Sequence, residues 1–339
     1  IAALFGLDAP SPDRCRVLEL GCAAGGNIIP MALIHPHSHF VGIDLSQRQI
    51  ADGQNTIRQL ALTNIELHPL SILDVTPDLA GNPKDAKFDY ILAHGVYSWV
   101  PPDVQDKILD ICRTHLSPTG VAYISYNCYP GWHARGAIRE MLWYHTEHLA
   151  DPAERVRQAR LFLAFLAQSI PPQATAYTAM VLQELSLLLR TPDTYLLHEH
   201  LEEYNEPLYF HQFAGRAMEK QLQFLAEAQL GAMVAGRLGA ETEKTLRALS
   251  PDLLHMEQYM DFLRNRMFRQ TLLCHAAVPL EHALRPDAVT RFHIASPLQP
   301  EARDPDLASD KTESFTTPGR AKLATSDPLM KAALTILGN

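Results

Sequence analysis

Val17-Leu18-Glu19-Leu20-Gly21-Cys22-Ala23-Ala24-Gly25-Gly26-Asn27 is a short apolar run that breaks into glycines, and Phe40-Val41-Gly42-Ile43-Asp44 follows as a second apolar run closed by a carboxylate. A strand, a glycine-rich turn opening a helix, and a second strand ending in an acid make a βαβ unit whose crevice holds a nucleoside. Outward from it, apolar runs recur at Ile65 to Pro69, Phe88 to His94 and Val121 to Tyr126, separated by helix-length stretches. That alternation predicts an α/β fold, a doubly wound Rossmann-like parallel sheet over residues 1–133. From Ala134 the strands largely disappear. Apolar residues there recur at helical intervals, as in Val156, Leu163 and Leu166 or Val181, Leu185 and Leu188, between breakers such as Pro171-Pro172 and Thr191-Pro192. A mostly α-helical second domain is predicted over 134–295. Residues 296–325 turn to Pro, Asp, Glu, Ser and Thr and read as a mobile linker, with 326–339 as the start of a truncated C-terminal domain. Because it opens at Ile1 inside a helical pattern, the chain reads as a fragment of a longer protein.

Charge decides which nucleoside fits the crevice. A dinucleotide presents a pyrophosphate, which needs a glycine where this turn has Ala23 and which Glu19 would repel. S-adenosyl-L-methionine has no phosphate and carries a sulfonium and an ammonium, so an acidic site suits it. Asp74, after Leu70-Ser71-Ile72-Leu73, adds a third carboxylate able to accept from an adenine amine, and no Lys or Arg lies in the turn. The expected cofactor contacts are Glu19, Gly21, Cys22, Ala23, Gly25, Gly26, Asn27, Asp44, Leu45, Leu73 and Asp74, joined after the fourth strand by His94, Gly95 and Val96. Cys22 reads as a small backbone contributor and not as a nucleophile.

Composition narrows the partners. A net charge of −9 over 339 residues argues against a nucleic-acid partner. Five cysteines without CxxC spacing point to reduced thiols and a cytoplasmic protein. No apolar run reaches eighteen residues, so no membrane insertion is expected. His35-Pro36-His37-Ser38-His39 and His198-Glu199-His200 lack partners at metal spacing, so both read as surface loops and no metal is expected. Arg264, Arg266 and Arg269, beside Phe262, Met267 and Phe268, read as the charged face of an amphipathic helix.

Two further runs, His94-Gly95-Val96-Tyr97-Ser98-Trp99-Val100-Pro101 and Tyr126-Asn127-Cys128-Tyr129-Pro130-Gly131-Trp132-His133, carry a family resemblance together with the glycine turn. The chain resembles the bacterial class I methyltransferases with a methyltransferase regulatory domain, a group that includes rickettsial protein-lysine methyltransferases. The resemblance extends through Asn205-Glu206-Pro207-Leu208-Tyr209-Phe210-His211 and Asp261 to Leu273. It implies a class I methyltransferase sheet, S-adenosylmethionine as cofactor and a protein lysine as acceptor.

Ligands of such a sheet sit beyond the carboxyl ends of its strands, so His94 to Trp99 and Asn127 to His133 are expected to meet the acceptor. Methyl transfer needs alignment and a shielded pocket, without an enzyme nucleophile. A Pro-Pro-aromatic turn that would hold a flipped base is missing, which disfavours nucleic-acid bases. Presenting a lysine amine neutral at pH 7 costs about 4.6 kcal/mol against its reference pKa of about 10.4. Tyr97, Trp99 and Trp132 are candidates to lower that cost by desolvation, although Tyr97 and Trp99 alternate and one of them can equally be core. Asn127 is a candidate to accept an N–H from the amine or is a turn former, and His133, with His94, is a candidate proton acceptor or a packing residue. A small-molecule acceptor, or a non-catalytic cofactor-sensing module, are the competing readings.

Overall fold

The computed structural model describes residues 1–76, 87–171, 175–283, 286–290, 292–319 and 321–338. Its central sheet has seven strands: β1 (Arg16–Leu20), β2 (His39–Asp44), β3 (Ile65–Pro69), β4 (Phe88–Ala93), β5 (Leu116–Asn127), β6 (Leu222–Glu227) and β7 (Phe268–His275). Their order is β3-β2-β1-β4-β5-β7-β6, with β1 to β5 parallel and β7 antiparallel to both neighbours. Strands buried on both faces are rich in apolar residues, and β1 buries Val17, Leu18 and Leu20 beside the single acid Glu19, with Leu18 paired to Val41 and Ile91. One face packs Leu18, Ile91 and Ile124 against α3 (Pro102–His115). On the other, Val17, Phe40 and Leu67 meet α1 (Ile28–Ile34) and α2 (Gln47–Gln59). Chain order reverses between β1 and β4, which is where a crevice opens.

The helical stretch starts as predicted, with α4 (Trp132–Thr146), α5 (Pro152–Ser169), α6 (Ala176–Leu188) and α7 (Asp193–His200) sharing a core of Ile138, Leu142, Leu163, Leu185 and Leu196. After α8 (Phe210–Glu219) it departs from expectation, because β6 and β7 return to the main sheet. Ile1–His282 is one compact unit and Ala283–Asn339 a second. No fold boundary therefore falls at residue 133. The stretch 296–325, predicted to be a linker, instead contains β8 (Gln299–Pro300), β9 (Glu313–Thr316) and β10 (Lys322–Thr325) in an antiparallel sheet. Polar composition hid it, since its interior rests on Phe315 and on Lys331, whose Nζ donates to Ser309 O (2.7 Å) and Lys311 O (3.0 Å).

The arginine cluster is a second correction. Helix α9 (Leu253–Arg264) stops at Asn265, which is left-handed (φ 49°), and Arg269 lies on β7 with none of its side chain exposed. Its guanidinium donates to Glu227 Oε1 (2.8 Å), Glu257 Oε2 (3.0 Å) and both oxygens of Asp261 (2.8 and 2.9 Å), and stacks over Phe210. Arg266 adds a second bond to Glu227 (2.9 Å). An arginine grouped with two others beside apolar residues reads as the charged face of a helix, and only the tertiary fold reveals three acids around it.

Candidate active site

Glycine is required at the end of β1. Gly21 has φ +70°, and a Cβ there would come within 2.6 Å of Val96 Cγ2, so the turn approaches the loop after β4 as closely as it can. Main-chain N–H groups of Gly21 and Cys22 both donate to Ile43 O (2.9 Å each), tying the turn to β2. Asp44, at the end of β2, accepts from Ala23 N (2.9 Å) and Ser46 N (2.8 Å). A carboxylate has about four acceptor sites, so Asp44 keeps lone pairs for ligand hydroxyls. Leu45 is 77% exposed and Leu73 45% exposed, and Asp74 is also exposed after β3, so these three face outward as a ligand contact must.

Glu19 is 3% exposed, and Asn27 Nδ2 donates to its Oε1 (2.7 Å). Oε2 is buried without a partner. Burial pushes the carboxyl up to about 7, partly offset by the Asn27 bond. A buried, half-satisfied acid costs stability unless a cation meets it. Such an arrangement fits the ammonium of a methionine moiety and not a phosphate. Burial also drives the Cys22 thiol up to about 12, reinforced by Glu19 and Asp44, which leaves it inert as a nucleophile.

Beyond β4, His94 and Gly95 are exposed, and Val96 is half-buried against Gly21. His94 Nδ1 meets Tyr123 OH (2.9 Å) and Ser125 Oγ (3.3 Å), while Gly95 N donates to Ser125 Oγ (2.8 Å). The loop after β4 is thus fixed by the neighbouring β5.

Acceptor-side candidates divide. Tyr97 is wholly buried, edge-on to Phe213 (5.2 Å between centroids) and near Tyr126 (6.1 Å), so it is core and not a wall of the pocket. Trp132 is 1% exposed and stands edge-on behind Trp99 (6.3 Å). Trp99 is half-buried, with its ring 4.7 Å from that of His198. Asn127, 5% exposed, closes β5, and its N–H donates to Ser98 Oγ (2.9 Å). His133 is exposed, stacks on Tyr129 (4.2 Å) and meets Tyr209 OH through Nε2 (3.1 Å). The loop between them is held from below, because a side chain at Gly131 would run into the main chain of Asn265.

Sequence reasoning missed the wall opposite Asn127. Segment 205–209 crosses the strand ends: Glu206 N donates to Ser98 O (2.8 Å), Leu208 N to Asn127 O (3.1 Å) and Tyr129 N to Leu208 O (3.1 Å). It brings Asn205, Tyr209 and, from α7, His198 to the site. The available signal was Asn205-Glu206-Pro207, a polar break inside an otherwise helical pattern. His200 is a related correction. It ends α7 wholly buried, with both ring nitrogens unpartnered, and not on a surface loop.

Comparison with known proteins agrees with this layout. A family model described as "Methyltransferase domain" matches residues 18–122, and one described as "Predicted methyltransferase regulatory domain" matches 192–275. An uncharacterised protein of Rickettsia prowazekii (strain Madrid E) is 41% identical over 339 residues, covering 98% of this chain and 60% of that protein. A second from the same organism is 40% identical over 225 residues, covering 66% of this chain and 88% of the relative. The structure of PKMT2 from Rickettsia typhi matches with a TM-score of 0.85 at 38% identity, over 99% of this chain and 64% of that one. The same protein in complex with AdoHcy matches with a TM-score of 0.85 at 37% identity. This chain thus spans less than two thirds of the length of the longer rickettsial relative and of PKMT2. The stretch matched as a regulatory domain contains α8, β6 and β7, and so completes the same sheet that the glycine turn begins. By sheet order, acidic crevice and relatives together, the chain belongs to the class I S-adenosylmethionine-dependent methyltransferases that carry a methyltransferase regulatory domain.

Proposed function

We propose that this protein transfers methyl groups from S-adenosylmethionine to lysine side chains of an acceptor protein. The observation that carries the cofactor reading is Glu19, a buried carboxylate with one unpaired oxygen at the end of β1. In this reading Glu19 holds the methionine ammonium, Asp44 the ribose hydroxyls, and Leu45, Leu73 and Asp74 the adenine. When bound, the cofactor supplies a methyl group on a sulfonium, which leaves as a neutral thioether. The protein's own task is to present a neutral amine in line and to keep water away.

Asn127 and the half-buried Trp99 support an amine acceptor: an amide oxygen orients an N–H, and an aromatic wall lowers the amine's pKa by excluding water. The exposed His133 takes up the released proton or passes it to solvent. Similarity to PKMT2 over nearly the whole chain supports a protein acceptor over a free metabolite. Five free, buried cysteines accord with a cytoplasmic site of action, and among the described residues no helix is long and apolar enough to cross a membrane. Incubating the protein with labelled S-adenosylmethionine and a bacterial lysate is expected to deposit methyl groups on lysines, identified by mass spectrometry. Turnover on small amines with unlabelled protein would overturn the acceptor assignment.

Glu19 gives a second test with a worked sign. Its folded pKa of about 7 lies above the ordinary carboxyl value. Below about pH 4 the group is neutral in both states and its burial carries no electrostatic cost. As pH rises through 7 stability is lost, up to roughly 3 kcal/mol. Glu19→Gln is therefore expected to raise the melting temperature of the ligand-free protein at pH 8 and leave it unchanged near pH 4. In the same variant S-adenosylhomocysteine binding falls at least tenfold at pH 8. Equal affinity of the two forms at that pH would remove Glu19 from the site.

A further inference from the structure

We infer that Asn205, from the segment matched as a regulatory domain, is a positioning residue for methyl transfer: it sets the orientation of the Asn127 amide. This rests on the lysine reading above. A side-chain amide can flip, exchanging a donor for an acceptor, unless a partner fixes it. Asn127 Nδ2 donates to Asn205 Oδ1 (3.2 Å). With Nδ2 so engaged, the remaining polar atom of Asn127 is Oδ1, and no donor among the described residues is bonded to it. The amide thereby presents an acceptor at the end of β5, suited to an amine N–H. Flipped, it would present an N–H, which can bond only to the amine's lone pair, the pair that must attack the methyl.

The segment that carries Asn205 is held in turn by its surroundings, while the amide's own Nδ2 is buried without a partner among the described residues. Main-chain bonds just after it, Glu206 N to Ser98 O and Leu208 N to Asn127 O, lock its segment across the ends of β4 and β5. Arg139 binds the main chain at Glu202 and Glu203 just upstream, 3.2 Å from Glu203 O. The 192–275 stretch therefore belongs to the site's working geometry, because it decides which face of Asn127 the acceptor meets.

Asn205→Ala, Asn205→Asp and wild type separate this role from a merely structural one. The acceptor used is the lysate protein that wild type labels most, purified. Asn205→Ala is expected to lose at least tenfold in kcat with S-adenosylhomocysteine affinity within twofold of wild type. Asn205→Asp keeps an oxygen for Asn127 Nδ2, so at pH 9 it recovers to within about threefold. Its added negative charge raises the acceptor's pKa, so its rate profile moves to higher pH. An Asn205→Ala variant as fast as wild type, or an Asn205→Asp variant no faster than Asn205→Ala at any pH, overturns the inference and leaves the lysine reading standing. A wild-type protein that binds S-adenosylhomocysteine yet labels no lysine overturns both.

Discussion

Asp44→Ala is expected to weaken S-adenosylhomocysteine binding by about a thousandfold, roughly 4 kcal/mol. Two effects combine. In the proposed complex the carboxylate accepts from ribose hydroxyls, and hydrogen bonds to a charged group contribute about 1.5–3 kcal/mol each. Without a ligand it already accepts from Ala23 N and Ser46 N, so alanine also releases the glycine turn and the start of α2. Ala23 sits at φ 50°, unusual for a residue with a side chain, and its N–H bond to Asp44 helps hold it there. Calorimetric titration checks the result, with Asp44→Asn as the intermediate case that keeps one acceptor oxygen. A loss smaller than tenfold in Asp44→Ala would place the ribose elsewhere.

Arg269→Ala carries the largest expected cost in stability, about 3–5 kcal/mol, because it strands buried carboxylates with only Arg266 to compensate them. Burial already pushes Glu257 up to about 7 in the intact protein. Without the guanidinium, Glu227, Glu257 and Asp261 repel one another, and the folded pKa values of Glu257 and Asp261, already raised by burial, rise further. The deficit is then full above those values and shrinks as pH falls and the acids take up protons. Urea unfolding at pH 8 and pH 5 is expected to show the larger difference from wild type at pH 8. Equal deficits at both would mean that lost packing against Phe210, and not charge, dominates.

The cofactor half of the site was legible because its chemistry is local. Glu19 and Gly21 to Asn27 lie within nine residues, and Asp44 ends the next strand, so the apolar runs, the turn and the charge all appear in sequence. The acceptor half is assembled from distant parts. Asn205 meets Asn127 across 78 positions, and His198 meets Trp99 across a still longer span. Tyr97 and Trp99 could not be told apart by alternation, because a 3-10 turn over Tyr97–Trp99 breaks the strand pattern. Strands β6 and β7 escaped because their neighbours are helices and their strongest charge, Arg269, points inward. The polar stretch after 296 misled for the opposite reason: so small a sheet needs few large apolar residues.

Because β7 runs between β5 and β6, shortened versions of this protein face a penalty set by hydrogen bonding. Cutting after residue 133 would bare the whole β5 edge that now pairs Ala122 to Asn127 with Phe268 to Leu273. An apolar strand with a free row of N–H and C=O groups recruits other strands, so such a fragment is bound to clump and not to behave as a small soluble enzyme. Useful truncations must keep every residue through His282, and segments exchanged between relatives must carry both ends of that pairing.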